Sequence, residues 1–308
     1  MSYCFGPVRS RRLGLSLGVD VLPRKSCNLN CIYCELGPTL KYTTEILEYI
    51  PLEDIWQELK ATLSSSQKKF DYLTFTASGE PTLYSKLGEL ITRAKNLSPK
   101  PITILTNATT VMIPEVRETL SKANILLPSL DAATQETFIK INRPAPNIRI
   151  QEIINGLAKL RKKFKGQIWL EILLVKDIND TEKELIELKK AIEKIEPDKV
   201  QLNTVARPPA DDSAKALSQN TLNEIAKFLG PSTEVIVNYS KALKQGSRPL
   251  IEAEILEVLK RRPSTIKDLV ICLGIKRELI EKNIAKLLEK NIVRYCPHNN
   301  IPFLCIKS

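Results

Sequence analysis

Short apolar runs alternate with amphipathic segments along the first 240 residues. The runs have the length and flanking turn residues of strands, whereas the segments between them repeat apolar positions at helical spacing. The predicted strands occupy 14–21, 71–77, 101–106, 125–130, 167–175 and 198–204. The predicted helices occupy 52–66, 84–97, 114–123, 134–141, 149–164, 180–195 and 218–229. This alternation predicts an α/β fold with a parallel sheet wrapped by helices, which a strand at 233–239 would extend.

A polar segment after the last predicted strand separates two regions of the chain. Residues 241–249 contain Gly and Pro among polar residues, which is typical of a linker. We therefore expect a core domain over 1–240 and a small second domain over 250–308.

The second region carries signals for three helices and a hairpin. The first helix covers 250–261, and Ser264 is predicted to cap a second helix that ends at Gly274. An amphipathic third helix covers 276–290. Residues 292–306 alternate in polarity around an Asn-Asn turn, as a hairpin does. The order of these elements resembles a winged-helix module.

Composition limits the classes of protein to consider. Hydrophobic residues make up 43% of the chain, which is ordinary for a globular protein. No run approaches the roughly 18 consecutive apolar residues of a spanning helix. The first residues also lack a signal-peptide pattern, so we expect a cytoplasmic protein without membrane association. The net charge of +11 favours polyanionic partners, although solvated basic helix faces would explain it equally well.

Three of the seven cysteines form a compact C-x3-C-x2-C motif at Cys27, Cys31 and Cys34. An odd number of cysteines is unlike a disulfide framework. Those outside the motif are Cys4, Cys272, Cys296 and Cys305. The last three lie in an apolar segment and are predicted to be buried structural thiols.

Three thiolates on one short loop can hold three irons of a [4Fe–4S] cluster and leave the fourth iron without a protein ligand. Clusters that only transfer electrons use four cysteines. A structural zinc site would need four Cys or His ligands at paired spacings, and the one histidine, His298, lies far along the chain. A redox dithiol formed by Cys31 and Cys34 is a further alternative.

Polar residues recur where the predicted strands end. The strand at 71–77 is followed by Ser78-Gly79-Glu80-Pro81-Thr82. The others are Thr106, Asn107, Ser129, Asp131, Lys176, Asn179, Gln201 and Asn203. Each one alone is as well explained by an ordinary loop. Together they predict a ring at one sheet edge, where α/β proteins bind ligands.

The cysteine motif, with aromatic Tyr33 directly before its last cysteine, and Gly79-Glu80 after the second strand resemble the radical S-adenosylmethionine (SAM) superfamily. The resemblance implies a partial (β/α)6 barrel, a [4Fe–4S] cluster on Cys27, Cys31 and Cys34, and SAM bound to the open iron. It also implies that Gly79 and Glu80 contact the SAM amino group. The further SAM contacts that it implies are Tyr33, Asn107, Ser129 and Asp131.

Additional motifs resemble a group of prokaryotic Fe–S oxidoreductases related to the tRNA wybutosine synthases. They are Gly6-Pro7-Val8-Arg9-Ser10-Arg11-Arg12-Leu13-Gly14, Leu17-Gly18-Val19-Asp20, Ile141-Asn142-Arg143-Pro144, Gln201-Leu202-Asn203 and Arg207-Pro208-Pro209. The chain departs from the synthases in having only Cys4 before the motif, where they have cysteines for a second cluster.

The resemblance implies reductive cleavage of SAM and abstraction of a substrate hydrogen, with flavodoxin or ferredoxin as electron donor. Our first substrate hypothesis is RNA, especially tRNA, docked by the basic helix at 276–290. The alternatives are a protein or peptide substrate and a DNA-binding redox sensor, but a sensor would not need the Gly79-Glu80 motif. Arg9, Arg11 and Arg12 either hold an acidic group of the substrate or lie on the surface.

Overall fold

The computed structural model describes residues 2–10, 12–65, 69–236 and 251–307. Arg11, the side chain of Arg9, and the predicted linker at 241–249 lie outside this description, as does the end of the strand predicted at 233–239.

The strands of the barrel region match the predicted alternation. In chain order they are β1 (Cys4–Ser10), β2 (Gly14–Asp20), β3 (Ser26–Cys27), β4 (Lys41–Tyr42), β5 (Tyr72–Thr76), β6 (Ile102–Thr106), β7 (Ile125–Pro128), β8 (Gln167–Leu174), β9 (Lys199–Thr204) and β10 (Thr233–Val235). Eight of them form one sheet in the order β1-β2-β5-β6-β7-β8-β9-β10. Every neighbouring pair is parallel except β1 and β2. The predicted partial (β/α)6 barrel is confirmed, and β1 is an additional antiparallel edge strand.

Helices connect the parallel strands and cover the sheet. They are α1 (Leu52–Ser64), α2 (Leu87–Leu97), α3 (Pro114–Leu120), α4 (Gln135–Asn142), α5 (Ile150–Lys163), α6 (Glu182–Ile195) and α7 (Gln219–Leu229), with a short 3₁₀ helix at Pro81–Leu83. In α5, Ile150, Ile153, Leu157 and Leu160 repeat at helical spacing and are buried in the core. Parallel strands all end at one edge of the sheet, so the strand-end residues meet there.

The C-terminal region has the predicted elements. It contains α8 (Ile251–Arg261), α9 (Ile266–Leu273), α10 (Arg277–Glu289), β11 (Val293–His298) and β12 (Ile301–Ile306). Asn299 and Asn300 adopt φ angles of 48° and 60° between β11 and β12, as a two-residue hairpin turn requires. Gly274 ends α9 in the left-handed conformation, as predicted. Among the described helices, none is long and apolar enough to cross a membrane.

Two predictions for this region are wrong. The cap of α9 is Thr265, whose hydroxyl accepts from the Asp268 amide while the Asp268 carboxylate accepts from the Thr265 amide. Ser264 instead pairs through its backbone with Leu304. Cys296 and Cys305 are not buried thiols, because they form a disulfide across the hairpin. Cys272 is buried, as predicted.

The C-terminal elements enclose their own cluster of buried side chains and pack against the barrel at β1. Val8 of β1 contacts that cluster. Arg261 of α8 donates to Asp20 at 3.0 Å and to the Ser2 carbonyl at 3.0 Å. Its guanidinium lies 3.9 Å from the centre of the Phe5 ring. Helix α8 is thereby held over the edge of the barrel.

Candidate active site

The cysteine motif forms a loop that starts at β3 and crosses the carboxyl edge of the sheet. Cys27, Cys31 and Cys34 all line one cavity of about 750 Å³. The Lys25 ammonium donates to the sulfur of Cys34 at 3.1 Å. Such a cavity is large enough for a cofactor-sized ligand.

Two side-chain amides point at the other cysteine sulfurs. Asn107 Nδ2 lies 3.6 Å from the sulfur of Cys27, and Asn142 Nδ2 lies 3.4 Å from the sulfur of Cys31. Hydrogen bonds to sulfur are one means by which a protein tunes an iron–sulfur cluster. Asn142 belongs to the Ile-Asn-Arg-Pro motif, but the sequence pattern by itself indicates no function for its side chain.

Gly79 and Glu80 anchor the start of the cysteine loop. A side chain at Gly79 would place its Cβ 1.7 Å from the Ser26 carbonyl oxygen, so only glycine fits there. The Glu80 amide donates to the same oxygen at 3.2 Å. The motif therefore fixes the residue that precedes Cys27.

The Glu80 carboxylate is 1% exposed and accepts from the Thr82 amide and hydroxyl, the Thr106 hydroxyl and the Asn107 amide. Burial raises its pKa above the ordinary value, and these hydrogen bonds oppose that rise. Direct contact of Glu80 with SAM stays a prediction, since protein donors already occupy both of its oxygens.

Asp131 connects the fourth barrel strand to the cysteine loop. Its carboxylate accepts from the Tyr33 hydroxyl, from Asn142 Nδ2 at 2.8 Å and from the Leu173 amide at 2.9 Å. Burial raises the pKa of Asp131 to about 6, and the hydrogen bond from Tyr33 is the largest opposing effect. Tyr33, Asp131 and Asn142 thus form one hydrogen-bonded unit beside Cys31.

The structure brings together part of the predicted ring. Thr106, Asn107, Ser129, Asp131 and Asn203 line the cavity together with the cysteines. Among the polar residues after the later strands, three do not line it, and these are Lys176, Asn179 and Gln201.

Two of these three members have structural contacts instead. The Asn179 side chain is fully buried and donates to the carbonyls of Asp131 and Leu173. Gln201 donates to Glu234 on β10 at 2.9 Å. Sequence position at a strand end does not by itself distinguish residues that support a loop from residues that line a cavity.

The cavity also contains a partly buried ion pair, and the sequence pattern does not show which two residues form it. Arg12 lines the cavity and pairs with Glu171 of β8, whose other oxygen accepts from Asn203 at 3.3 Å. Arg12 thus lies at the cavity, and its contact with an acidic group of the substrate stays a prediction. Glu171 interrupts an otherwise apolar strand. Charged residues are rarely buried without a partner, so its position in such a strand indicates a polar contact in the interior.

Helix α8 of the C-terminal region forms another wall of the cavity. Ala253, Glu257, Val258 and Arg261 all line it. No signal in the sequence could show this wall, because it depends on how two regions distant in the chain pack together.

The three cysteines fit an iron–sulfur cluster better than a single metal ion. Burial raises the pKa of Cys27 to about 12 and that of Cys31 still further, so the thiolates form only when positive charge compensates them. Within the described ranges, no group of three His, Cys, Asp or Glu side chains is arranged to hold one ion, as zinc would require. A cluster takes one thiolate per iron and does not need the sulfurs to converge on a point.

Comparison with known proteins identifies the class. The model of the radical SAM superfamily matches residues 21–189, more than half of the chain. A UPF0026 protein of Methanocaldococcus jannaschii is 31% identical over 302 residues, which cover 94% of this chain and 93% of that protein. The chain therefore belongs to the radical SAM superfamily of enzymes, and within the known proteins to the UPF0026 family.

Two further relatives match over part of their own length. A Brachyspira hyodysenteriae protein named GTPase Obg is 38% identical over 293 residues, and the match covers 94% of this chain but 43% of that protein. A probable dual-specificity RNA methyltransferase RlmN of Oceanobacillus iheyensis is 26% identical over 187 residues, covering 58% of this chain and 51% of the methyltransferase.

Solved structures share the fold. A radical SAM methyltransferase from Sphaerobacter thermophilus aligns with a TM-score of 0.54 at 16% identity, covering 74% of this chain and 67% of that chain. The enzyme anSMEcpe, solved with bound AdoMet, aligns with a TM-score of 0.51 at 21% identity, covering 70% of this chain and 58% of that chain. At these identities the likeness concerns the barrel alone.

Proposed function

We propose that this protein binds a [4Fe–4S] cluster through Cys27, Cys31 and Cys34, cleaves SAM reductively and abstracts a hydrogen atom from its substrate. The observation that carries the proposal is that all three sulfurs line one cavity, together with the strand-end residues. When bound, the cluster supplies one electron to the SAM sulfonium, which yields methionine and a 5′-deoxyadenosyl radical that takes the hydrogen.

The residues of the chain prepare the site for that chemistry. We assign Asn107, Asn142 and Lys25 to stabilise the thiolates, because their N–H groups are directed at the sulfurs. Gly79, Glu80 and Asp131 hold the loop in place. The SAM contacts proposed from family resemblance are Tyr33, Gly79, Glu80, Asn107, Ser129 and Asp131. Helix α8 covers one side of the cavity, and exclusion of water there would limit side reactions of a radical.

We propose RNA, and especially tRNA, as the substrate. The similarity to an RNA methyltransferase over 58% of the chain supports this choice. Helix α10 carries Arg277 and, at its C-terminal end, Lys290, which pair with Glu281 and Glu252 at 2.7 and 3.1 Å. Ion pairs this exposed are weak, so phosphate groups can replace the acidic partners. Flavodoxin or ferredoxin in the cytoplasm would supply the electron.

The chemistry is tested by anaerobic reconstitution followed by SAM cleavage with dithionite. We expect about four irons per chain and formation of 5′-deoxyadenosine. Cys31→Ala should abolish both, whereas Cys272→Ala, which removes a thiol outside the motif, should retain both. Full SAM cleavage by the Cys31→Ala variant would refute the cluster assignment.

The substrate is tested by mass spectrometry of RNA and proteome from a deletion strain and its parent. We expect a modified nucleoside to be lost from the RNA of the deletion strain. Salt-sensitive binding of that RNA to the purified protein would support a direct contact. A change confined to a peptide would refute the RNA proposal and leave the radical chemistry in place.

A further inference from the structure

A second cavity lies behind the cysteine loop, and its function is not explained by the proposed reaction. It is a groove of about 680 Å³, which we call the Tyr42 groove. Its lining includes Asn30, Tyr42, Ile139, Arg143 and Arg149. None of these residues lines the active-site cavity.

The Tyr42 groove and the active-site cavity share a thin wall. Leu29 and Cys31 line the cavity, whereas Asn30 between them lines the groove. In the same way Asn142 lines the cavity and Arg143 lines the groove. Two short segments, including the cysteine loop, therefore separate the two spaces.

Direct contacts connect the groove to the cysteines. Tyr42 lies opposite Cys27 in the β3–β4 pair. Its hydroxyl donates to the Arg143 carbonyl at 3.0 Å, and the preceding residue, Asn142, donates to the sulfur of Cys31. Electron transfer slows steeply with distance, so a redox group seated in this groove would be well placed to reduce a cluster on these cysteines.

The surface of the groove is apolar with a cationic rim. Two apolar residues of the lining, Tyr42 and Ile139, are 47% and 53% exposed. Exposed apolar side chains grouped in this way mark interaction sites. The charged residues of the lining are Arg143, which pairs with Asp211 at 2.6 Å, and Arg149, whose exposed guanidinium has no ionic partner in the part of the chain described. A partner that complements this groove would present an apolar centre surrounded by acidic residues.

We propose that the Tyr42 groove is the docking surface for flavodoxin, an acidic one-electron carrier, and this inference rests on the proposed function. The edge of a flavin is a flat aromatic group, which would pack against Tyr42 and Ile139. Acidic residues around the flavin would meet Arg143 and Arg149. The flavin hydroquinone anion loses one electron and becomes the neutral semiquinone, and that electron reduces the oxidised cluster.

The test compares two double variants of the reconstituted full-length protein. Ile139→Asp/Arg149→Glu alters the groove, and Ile186→Asp/Lys227→Glu makes the same change of charge and polarity at exposed positions of α6 and α7. Binding of oxidised flavodoxin is measured by calorimetry at two salt concentrations. SAM cleavage is measured with dithionite and, separately, with flavodoxin and its reductase.

We expect the groove variant to bind flavodoxin about tenfold more weakly than wild type, and its rate of flavodoxin-driven SAM cleavage to fall by about the same factor. The control variant should match wild type in both measurements. Both should retain dithionite-driven cleavage within about twofold, because neither touches the cavity. Higher salt should weaken binding by wild type more than by the groove variant.

Unchanged flavodoxin affinity in the groove variant would overturn the proposal. A fall in its dithionite-driven SAM cleavage as large as the fall in flavodoxin-driven cleavage would also overturn it. If ferredoxin alone drives cleavage and the groove variant impairs that rate, the assignment to flavodoxin is wrong. Absence of cleavage by wild type with dithionite would instead refute the proposed function.

Discussion

Glu80 and Asp131 each join two parts of the site by accepting hydrogen bonds from several directions. Glu80 receives donors from the loops after β5 and β6. Asp131 receives donors from the cysteine loop, α4 and β8. A buried carboxylate is stable only when such donors satisfy it. These two acids therefore position the cysteines as well as facing the region predicted to bind SAM.

Gly79 gives the most direct test of this positioning. In Gly79→Ala the new methyl group would collide with the Ser26 carbonyl, so we expect a destabilisation of about 3 kcal/mol and poor retention of iron. Thermal unfolding and the iron content after reconstitution measure these effects.

Gly37, which lies between β3 and β4 after the last cysteine of the motif, provides the matched control. It has φ of +81°, and no atom of the described residues lies within 4 Å of the point where a Cβ would stand, so Gly37→Ala adds backbone strain of about 1 kcal/mol without a collision. Equal iron retention by the two alanine variants would contradict the role assigned to Gly79.

At the level of elements, local patterns predict most strands and helices but cannot define every boundary. The parallel strands are apolar because both faces of the sheet are covered, and the sequence shows this directly. Strand β1 escapes prediction because Gly6 and Pro7 interrupt it, and its pairing with β2 shifts register between Phe5 and Val8. The proposed cysteine ligands are predicted from their spacing, whereas the Arg12–Glu171 pair requires knowledge of which strands are neighbours.

The start of α9 shows how a boundary error arises. Ser264 and Thr265 are both suitable caps, and only the backbone decides between them. Ser264 is held by its pairing with Leu304, so the helix begins one residue later.

Alanine variants at these two positions should therefore differ. Thr265→Ala removes a capping box and should lower the free energy of unfolding by about 1 kcal/mol. Ser264→Ala removes only a hydroxyl contact of 3.4 Å to the Arg262 carbonyl, and we expect a loss of about 0.5 kcal/mol or less. Chemical denaturation measures both values, and the reverse order would restore Ser264 as the cap.

For the whole molecule, the C-terminal region forms part of the candidate active site in addition to its proposed function in docking. Helix α8 lines the cavity, and α9 packs near the edge strand β1. A substrate bound in the cavity beside the cysteines would therefore also lie near α8. If RNA is the substrate, the same elements that contact its phosphates would also control which nucleotide enters the cavity.

Arg261 connects these two parts of the molecule, and its removal should loosen them. In Arg261→Ala the ion pair with Asp20 and the contact with Phe5 are lost, so we expect a destabilisation of about 2 kcal/mol. Hydrogen exchange should accelerate in α8 and β1, because both lose the contact that joins them. Lys260→Ala is the control, since the ion pair that Lys260 forms with Glu257 is exposed and weak. Unchanged exchange in Arg261→Ala would show that apolar packing, and not this arginine, holds α8 over the cavity.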